Sequence, residues 1–527
     1  CGKPGRSKTL SFQIIQNSMK GGVSKSKFCQ SYPEIIAFKI QGSLSTTSKD
    51  IEDIFIKARD YKKNNINKNV VVYMDEMGLA EISENNPLKV MHSELEKDDL
   101  ISFVGISNWF IDASKMNRVI YNVVQDPDEK DIIETGMEIA KSYEEEGEFY
   151  SQKYQLIIQR LSKAYYNYIN KKKEVNDKRQ YFHGSRDFYC LIKSVMNDII
   201  SNKTKFEEFE NNEKEEKKSK LLNEICLNNI MRNFAGLENS IDDFKSYFFE
   251  GYGENDLIKN NEIKYNLMKC IQDNINDENS RYLLLITDSY LCQDLLDYIL
   301  EEIIETKDRI KNRNNIINKE GIKVLNNSNE QKEVFKKYYS GSKFKSDKNN
   351  SFYYNDILNK IIYQMETDNI LILKDLESVY PSLYELFNQS FIILDGKKFI
   401  HLGESKSLVN DKFKAIVLVE KSQIDEQEPP FLNRFEKHIF DFKYLLSEEL
   451  LKLSEEIFNI LQKIKNIQFE VKSKEILKAK LEKYFYLIKE EEIKGLVYVA
   501  SKQYGQNISD YDENGSKNKK LINKFVF

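Results

Sequence analysis

Histidine is nearly absent from this chain, with four in 527 residues, and the six cysteines, at positions 1, 29, 190, 226, 270 and 292, include no C-x-x-C pair. Structural zinc needs cysteine and histidine at short fixed spacings, so no zinc fold is expected. Scattered, unpaired thiols point instead to a reducing, cytoplasmic setting. No run of 18 apolar residues occurs, so no transmembrane segment is expected, and no signal-peptide pattern opens the chain. Neither sign of charge dominates: 79 basic residues face 84 acidic ones, interspersed, for a formal net charge of −5. Such a mixture attracts neither nucleic acid nor an anionic membrane, and no basic stripe with interleaved aromatics runs along any segment. What is present is length. At 62.1 kDa the chain can form at least two domains with substantial cores.

Two stretches carry chemistry. The first is Gly2-Lys3-Pro4-Gly5-Arg6-Ser7-Lys8-Thr9, close to the pattern of a glycine, four residues, a second glycine, lysine and serine or threonine. In that pattern backbone N–H groups at a helix N-terminus wrap phosphates, the lysine reaches the β and γ oxygens, and the hydroxyl ligates magnesium. Ser7 stands where the second glycine belongs, which asks a residue with a Cβ to make a glycine-like turn. The second stretch is Val70-Val71-Val72-Tyr73-Met74 followed by Asp75-Glu76. Its β-branched run reads as a buried parallel strand, and its two carboxylates fall at the C-terminal end, where open α/β sheets bind ligands. Because the chain starts directly on the phosphate loop, the strand that should feed the loop is expected upstream, and the chain reads as a piece of something longer.

Taken in order, Ile35-Ile36-Ala37-Phe38 reads as a strand, and Ser48 as the cap of a helix with Ile51, Ile54, Phe55 and Ala58 on one face. Pro87 starts a helix with Leu88, Met91 and Leu95. Ile101 to Ile106 is a further strand, ending at Ser107-Asn108. Alternating strands and helices predict an α/β fold with a mostly parallel sheet. From about 130 the pattern becomes helical, over 130–145, 150–170 and 186–200. The charge run Glu207 to Lys220 reads as a solvated insertion.

After about 255 the order repeats. Tyr282 to Thr287 is a strand, followed by a helix to about 305 and a polar loop over 308–350. Ile370 to Asp375 then resembles the Val70 strand, and Ala415 to Val419 the Ile101 strand. No phosphate-loop pattern follows the first of these strands, and Glu377 lies two residues beyond Asp375, so the second copy is expected to be degenerate and non-hydrolysing. Helices over 445–464 and 476–488 follow, with a polar tail after Gln503. The expected domains are 1–125, an α/β subdomain with the phosphate loop; 126–255, a helical lid; 256–440, a degenerate α/β subdomain; and 441–527, a second lid and tail.

Gly2-Lys3-Pro4-Gly5 with Ser7-Lys8-Thr9, Met74 to Glu81, Pro87 to Val90, Phe103 to Trp109 and Lys115 to Arg118 together resemble the mysterin family of giant AAA+ ATPases and ubiquitin ligases. The likeness continues through Arg186 to Tyr189, Arg232 to Phe234, Ser280 to Leu283, Ser382 to Gln389 and Pro430 to His438. It implies two consecutive AAA+ modules, the fourth and fifth of six, with the family's own serine at the Ser7 position. It implies ATP and Mg2+ as ligands: Gly2 to Thr9 bind the phosphates, Thr9 and Asp75 hold magnesium, Glu76 polarises water and Asn108 orients it. Arg186 resembles the second sensor, against a surface arginine capping a helix. Arg434 resembles an arginine finger that completes the site around Lys8 and Glu76, against a structural ion pair with Glu436 or a neighbouring acid. Arg118 would serve an upstream module in the same way. Neighbouring AAA+ modules of the same chain and the ubiquitin machinery of the parent protein are the implied partners. A remodelling motor of the midasin or dynein type, and an ATP-binding scaffold without turnover, remain as alternatives.

Overall fold

The apolar runs ending at Asp75 and near Asp375 each become the inner strand of a parallel sheet. In the computed structural model the described residues are 1–3, 5–43, 46–97, 101–117, 119–144, 150–174, 179, 181–211, 214–250, 264–288, 295–303, 336–342, 347, 351–402, 405–466 and 490–505. The predicted helix over 476–488 and the tail from 506 lie outside them. Contacts divide the chain into two units, one of Cys1–Lys264, Cys270–Ile286 and Gln331–Ile439, the other of Tyr265–Lys269, Thr287–Glu330 and Phe440–Phe527.

In the first unit, β1 (Ile35–Gln41), β2 (Asn69–Asp75) and β3 (Ile101–Gly105) form a three-stranded parallel sheet in that order. Both faces of β2 are covered, which is why its sequence is continuously apolar. Ile51, Phe55 and Ala58 of the helix Ser48–Asn64 pack on Val70, Val72 and Met74. On the other face Phe12, from the helix Lys8–Ser18, stacks on Tyr73 with ring centroids 4.2 Å apart. The first of these helices is capped by Thr47 rather than Ser48, because Thr47 and Asp50 close a reciprocal capping box. Pro87 begins a 3-10 turn, Pro87–Val90, that passes into the short helix Met91–Glu94. Gly2 donates to the Ser107 carbonyl and Val124 to that of Cys1.

The helical part comprises Glu129–Lys141, Gln155–Glu174, Ser185–Ser201, Lys203–Asn211, Glu215–Asn233 and Ser240–Phe248. Tyr165, Phe188, Leu191, Ile230, Phe234 and Phe244 are among its buried residues. The charge run Glu207 to Lys220 is mostly exposed where it is described, but it does not interrupt the helical part. Its residues belong to two of these helices, and Glu210 pairs with Lys153 and Lys218 at 3.1 and 3.0 Å. Glu and Lys are good helix formers whose paired heads face water while the same helix buries Ile225 to Phe234 further on.

The second sheet has the order β11-β4-β10-β6-β5, from β4 (Leu283–Thr287), β5 (Lys336–Ser340), β6 (Ile370–Lys374), β10 (Lys414–Glu420) and β11 (Glu436–Ile439). Strand β5 lies inside the segment expected to be a polar loop. Its Lys-Lys-Tyr-Tyr-Ser sequence suits an edge strand, which needs no continuous apolar run. Between β6 and β10 a small antiparallel sheet, β7 (Ile392–Leu394), β8 (Lys397–Leu402) and β9 (Ser405–Val409), is inserted. In the second unit, helices Glu448–Asn466 and Glu490–Gly505 pack together, and Lys502 pairs with Glu302 at 2.7 Å.

A buried ion network fastens the lid helices to the second sheet. Asp187, fully buried on the helix Ser185–Ser201, accepts from Lys437 of β11 and from Arg281 beside β4, each at 2.8 Å. Glu436 accepts from Arg232 at 3.1 Å and from Asn274 at 2.8 Å. Burial alone would raise both carboxyls, but Lys437 and Arg281 beside Asp187, and Arg232 and His438 beside Glu436, hold each below the usual carboxylate range. A depressed folded value adds stability above the unfolded value and loses it as pH falls. Thermal melts are therefore expected to show steep acid destabilisation below about pH 4. Asp187→Ala strands two buried cations and is expected to cost about 3–5 kcal/mol in urea unfolding.

Candidate active site

The phosphate loop turns through Gly5 at φ 75° and Ser7 at φ 53°, so the serine does adopt the left-handed conformation of the glycine it replaces. Lys8 starts the helix behind it. Its ammonium donates to the Gly2 and Lys3 carbonyls and, at 2.9 Å, to Oδ1 of Asn108. Burial pulls Lys8 down to about 8, with Glu76 and Asp75 opposing. Pro4 lies outside the described residues. Lys3 and Arg6 both reach Asp126, at 2.7 and 3.1 Å, and Arg6 also donates to Ser185 Oγ at 3.3 Å. The loop is thus braced against the start of a lid helix.

Thr9 Oγ1 donates to Asp75 Oδ2 at 3.0 Å, and Tyr73 donates to the same oxygen at 3.1 Å. A hydroxyl and a carboxylate so placed form a hard, oxygen-only donor pair that fits Mg2+. Glu76 follows at φ 48°, a strained position for a residue with a Cβ, as occurs at functional sites. Asn108 Nδ2 donates to Glu76 Oε2 at 2.6 Å, so one side chain bridges the loop lysine and the second carboxylate.

Arg434 comes from the second α/β part. Buried to 2% exposure, it donates through Nη2 to Glu76 Oε1 at 3.0 Å and through Nη1 to the Pro430 carbonyl. It does not pair with Glu436, which is taken by Arg232. Arg186 donates to Asn388 Oδ1 at 2.7 Å. Burial and then the neighbouring Arg434 charge lower Arg186 to about 10, while Glu76 opposes them. Lys8, Thr9, Asp75, Glu76, Asn108 and Arg434 are therefore joined in one chain of hydrogen bonds. Arg186 lies in its field without touching it, and Arg118 is outside the described residues.

The register corrects the pairing of the two copies. Gln41 pairs with Asp75 and Gly42 donates to the Asp75 carbonyl. In the second sheet Ser340 pairs with Lys374 and Gly341 donates to the Lys374 carbonyl. Asp375, at φ 55°, thus stands where Glu76 does, and Lys374 where Asp75 does. An ammonium stands in the second copy where the first has the Asp75 carboxylate, so the hydroxyl–carboxylate oxygen pair of the first copy has no counterpart at that position. Sequence reasoning also missed Asp126, Asn388, Tyr384 and Glu428. Tyr384 and Asn388 lie in the segment Ser382 to Gln389, whose family likeness was the one available signal.

Two family models, both described as the RNF213 AAA domain, match residues 1–131 and 310–446. The chain is 28% identical over 471 residues to E3 ubiquitin-protein ligase RNF213 of Homo sapiens, and 29% over 467 residues to that of Mus musculus. It is 29% identical over 462 residues to E3 ubiquitin-protein ligase rnf213-beta of Danio rerio. These matches cover 85%, 85% and 84% of this chain and 8% of each relative. The fold is accordingly α/β with two consecutive AAA modules.

Replacing Ser7 by glycine removes a left-handed penalty of about 1–2 kcal/mol and adds an entropic cost of about 0.5–1 kcal/mol. Ser7→Gly is therefore expected to raise stability by up to about 1.5 kcal/mol, read as a higher urea midpoint.

Proposed function

The chain belongs to the RNF213, or mysterin, family of AAA proteins, and from that premise we propose that its first module binds ATP with Mg2+ and hydrolyses it at a site the second module completes. The observation that carries this reading is Glu76 held between Asn108 of its own module at 2.6 Å and Arg434, 358 residues further on, at 3.0 Å. The half-buried Lys8 ammonium meets the β and γ oxygens in place of the loop carbonyls it now bonds. Thr9 and Asp75 would hold Mg2+, which neutralises phosphate charge when bound. Glu76 orients and polarises the attacking water, kept in line by Asn108. Arg434 brings positive charge from the neighbouring module to where the transferring phosphoryl group develops negative charge. Little covalent chemistry falls to the protein; positioning and charge do most of it.

Because Arg434 and the lid are fastened to the second sheet, contacts to a γ-phosphate would draw the modules together, and hydrolysis would release them. The chain spans 8% of the length of its curated relatives, so coupling of this cycle to ubiquitin transfer is proposed for the whole protein only. Scattered free thiols favour a reducing, cytoplasmic setting. Among the described residues no helix is long and apolar enough to cross a membrane.

A binding-only scaffold is the second reading. It is favoured by the occupation of both Glu76 oxygens, one by Arg434 and one by Asn108. Turnover separates the two. In the full-length protein, Glu76→Gln is expected to lower Mg2+-dependent ATP hydrolysis at this site about 100-fold or more while ATP still binds. Arg434→Ala is expected to lower it about 1,000-fold. Binding with no turnover in the unmutated protein selects the scaffold. ATP affinity should hold below about pH 8 and fall as pH rises past it, since only protonated Lys8 attracts phosphate, and Lys8→Arg should flatten that profile.

A further inference from the structure

Besides its hydrogen bonds, Arg434 is held by a ring. Its guanidinium carbon lies 3.7 Å from the centroid of Tyr384, inside the range of a strong cation–π contact. Of its donors, Nη1 is used on Pro430, Nη2 faces Glu76, and Nε has no hydrogen-bond partner although it is buried. A second carboxylate in place of the ring would take up the remaining Nε donor. An aromatic face fixes the guanidinium plane without consuming a further donor.

The ring is itself fixed. Tyr384 is buried on the helix Tyr384–Phe387, beside Phe431, which stacks on Tyr380 at 5.0 Å and meets Phe435 at 5.1 Å. Glu428 precedes the short helix Pro429–Leu432 leading into Arg434. Glu428 Oε2 is buried without a partner. It lies close enough to Glu76 for the Glu76 charge to help push its carboxyl up, although burial is the larger cause.

We propose that Tyr384 is a positioning residue of the composite site: its face sets the plane of the Arg434 guanidinium, and the packing of Phe431 against it sets the ring. The inference rests on the hydrolytic reading above and deepens it. Tyr384 acts through Arg434, so its effect must vanish when Arg434 is gone.

The test is a double-mutant cycle in the full-length protein, with kcat and KM for ATP measured at this site. Tyr384→Leu is expected to lower kcat roughly tenfold or more, the scale of a desolvated cation–π contact. KM should stay within about twofold, as expected for an interaction made only in the transition state. Tyr384→Phe, which keeps the ring, should recover most of that loss, remaining within about threefold of the unmutated protein. In the Arg434→Ala background Tyr384→Leu should change nothing further. Equal losses in both backgrounds, or a Phe variant as slow as the Leu variant, overturn the proposal. An Arg434→Ala variant with unchanged turnover overturns the composite-site reading instead. Should Tyr384→Leu lose its cooperative melt, Tyr384→Met, which fills a similar volume without an aromatic face, carries the same cycle. It is then expected to slow turnover only while Arg434 is present, and equal slowing in both backgrounds again counts against the proposal.

Discussion

Asp187 and the two cations it accepts from, Lys437 and Arg281, form the contact on which the rest of the arrangement depends. Asp187 follows Arg186 directly, and Lys437 lies three residues beyond Arg434. One buried carboxylate therefore fixes the position of both arginines proposed to act on a nucleotide. A buried ion pair is a poor source of net stability but a demanding one geometrically, because any displacement leaves charge unpaired in the interior. Lid and second sheet are thereby made to move together, and Arg434 arrives at Glu76 as a consequence.

The two sheets show how a site is kept or dismantled on the same backbone. Each carries a left-handed residue just past its inner strand, Glu76 in one and Asp375 in the other, and each has a glycine, Gly42 or Gly341, donating beneath it. The strained turn survives in both modules. The adjacent carboxylate pair survives in one, because Lys374 stands at the Asp75 position of the other. The second module contributes groups near its neighbour's carboxylates: Arg434 bonds Glu76, Tyr384 lies under Arg434, and Asn388 accepts from Arg186.

Strain is concentrated at this place. Ser7 and Glu76 both hold a positive φ with a Cβ attached, one in the glycine-rich loop and one just past β2. Neither conformation is favourable locally, so both are imposed by the packed sheet and helices around them. Asn108 then ties the two halves of the site by bonding Lys8 on one side and Glu76 on the other.

The local chemistry was legible in the sequence. Lys8-Thr9 after the glycine loop, and Asp75-Glu76 after a β-branched run, declare themselves by residue type and spacing, and the buried strands by their continuous hydrophobicity. The charged helices at Glu207 to Lys220 and the edge strand Lys336–Ser340 did not, because a solvated helix face and a sheet edge carry no apolar period to read. Arg434 was visible only through its family likeness, and whether it met Glu436 or Glu76 could not be read from order along the chain. Tertiary structure decided that, together with the pairing of Lys374 with the Asp75 position, the ring beneath Arg434 and the bracing of the loop by Asp126. The physical reason is range. Strand burial and loop turns are set by neighbours a few residues away, whereas a hydrogen bond spanning 358 residues exists only once two separately folded sheets are locked at a fixed distance.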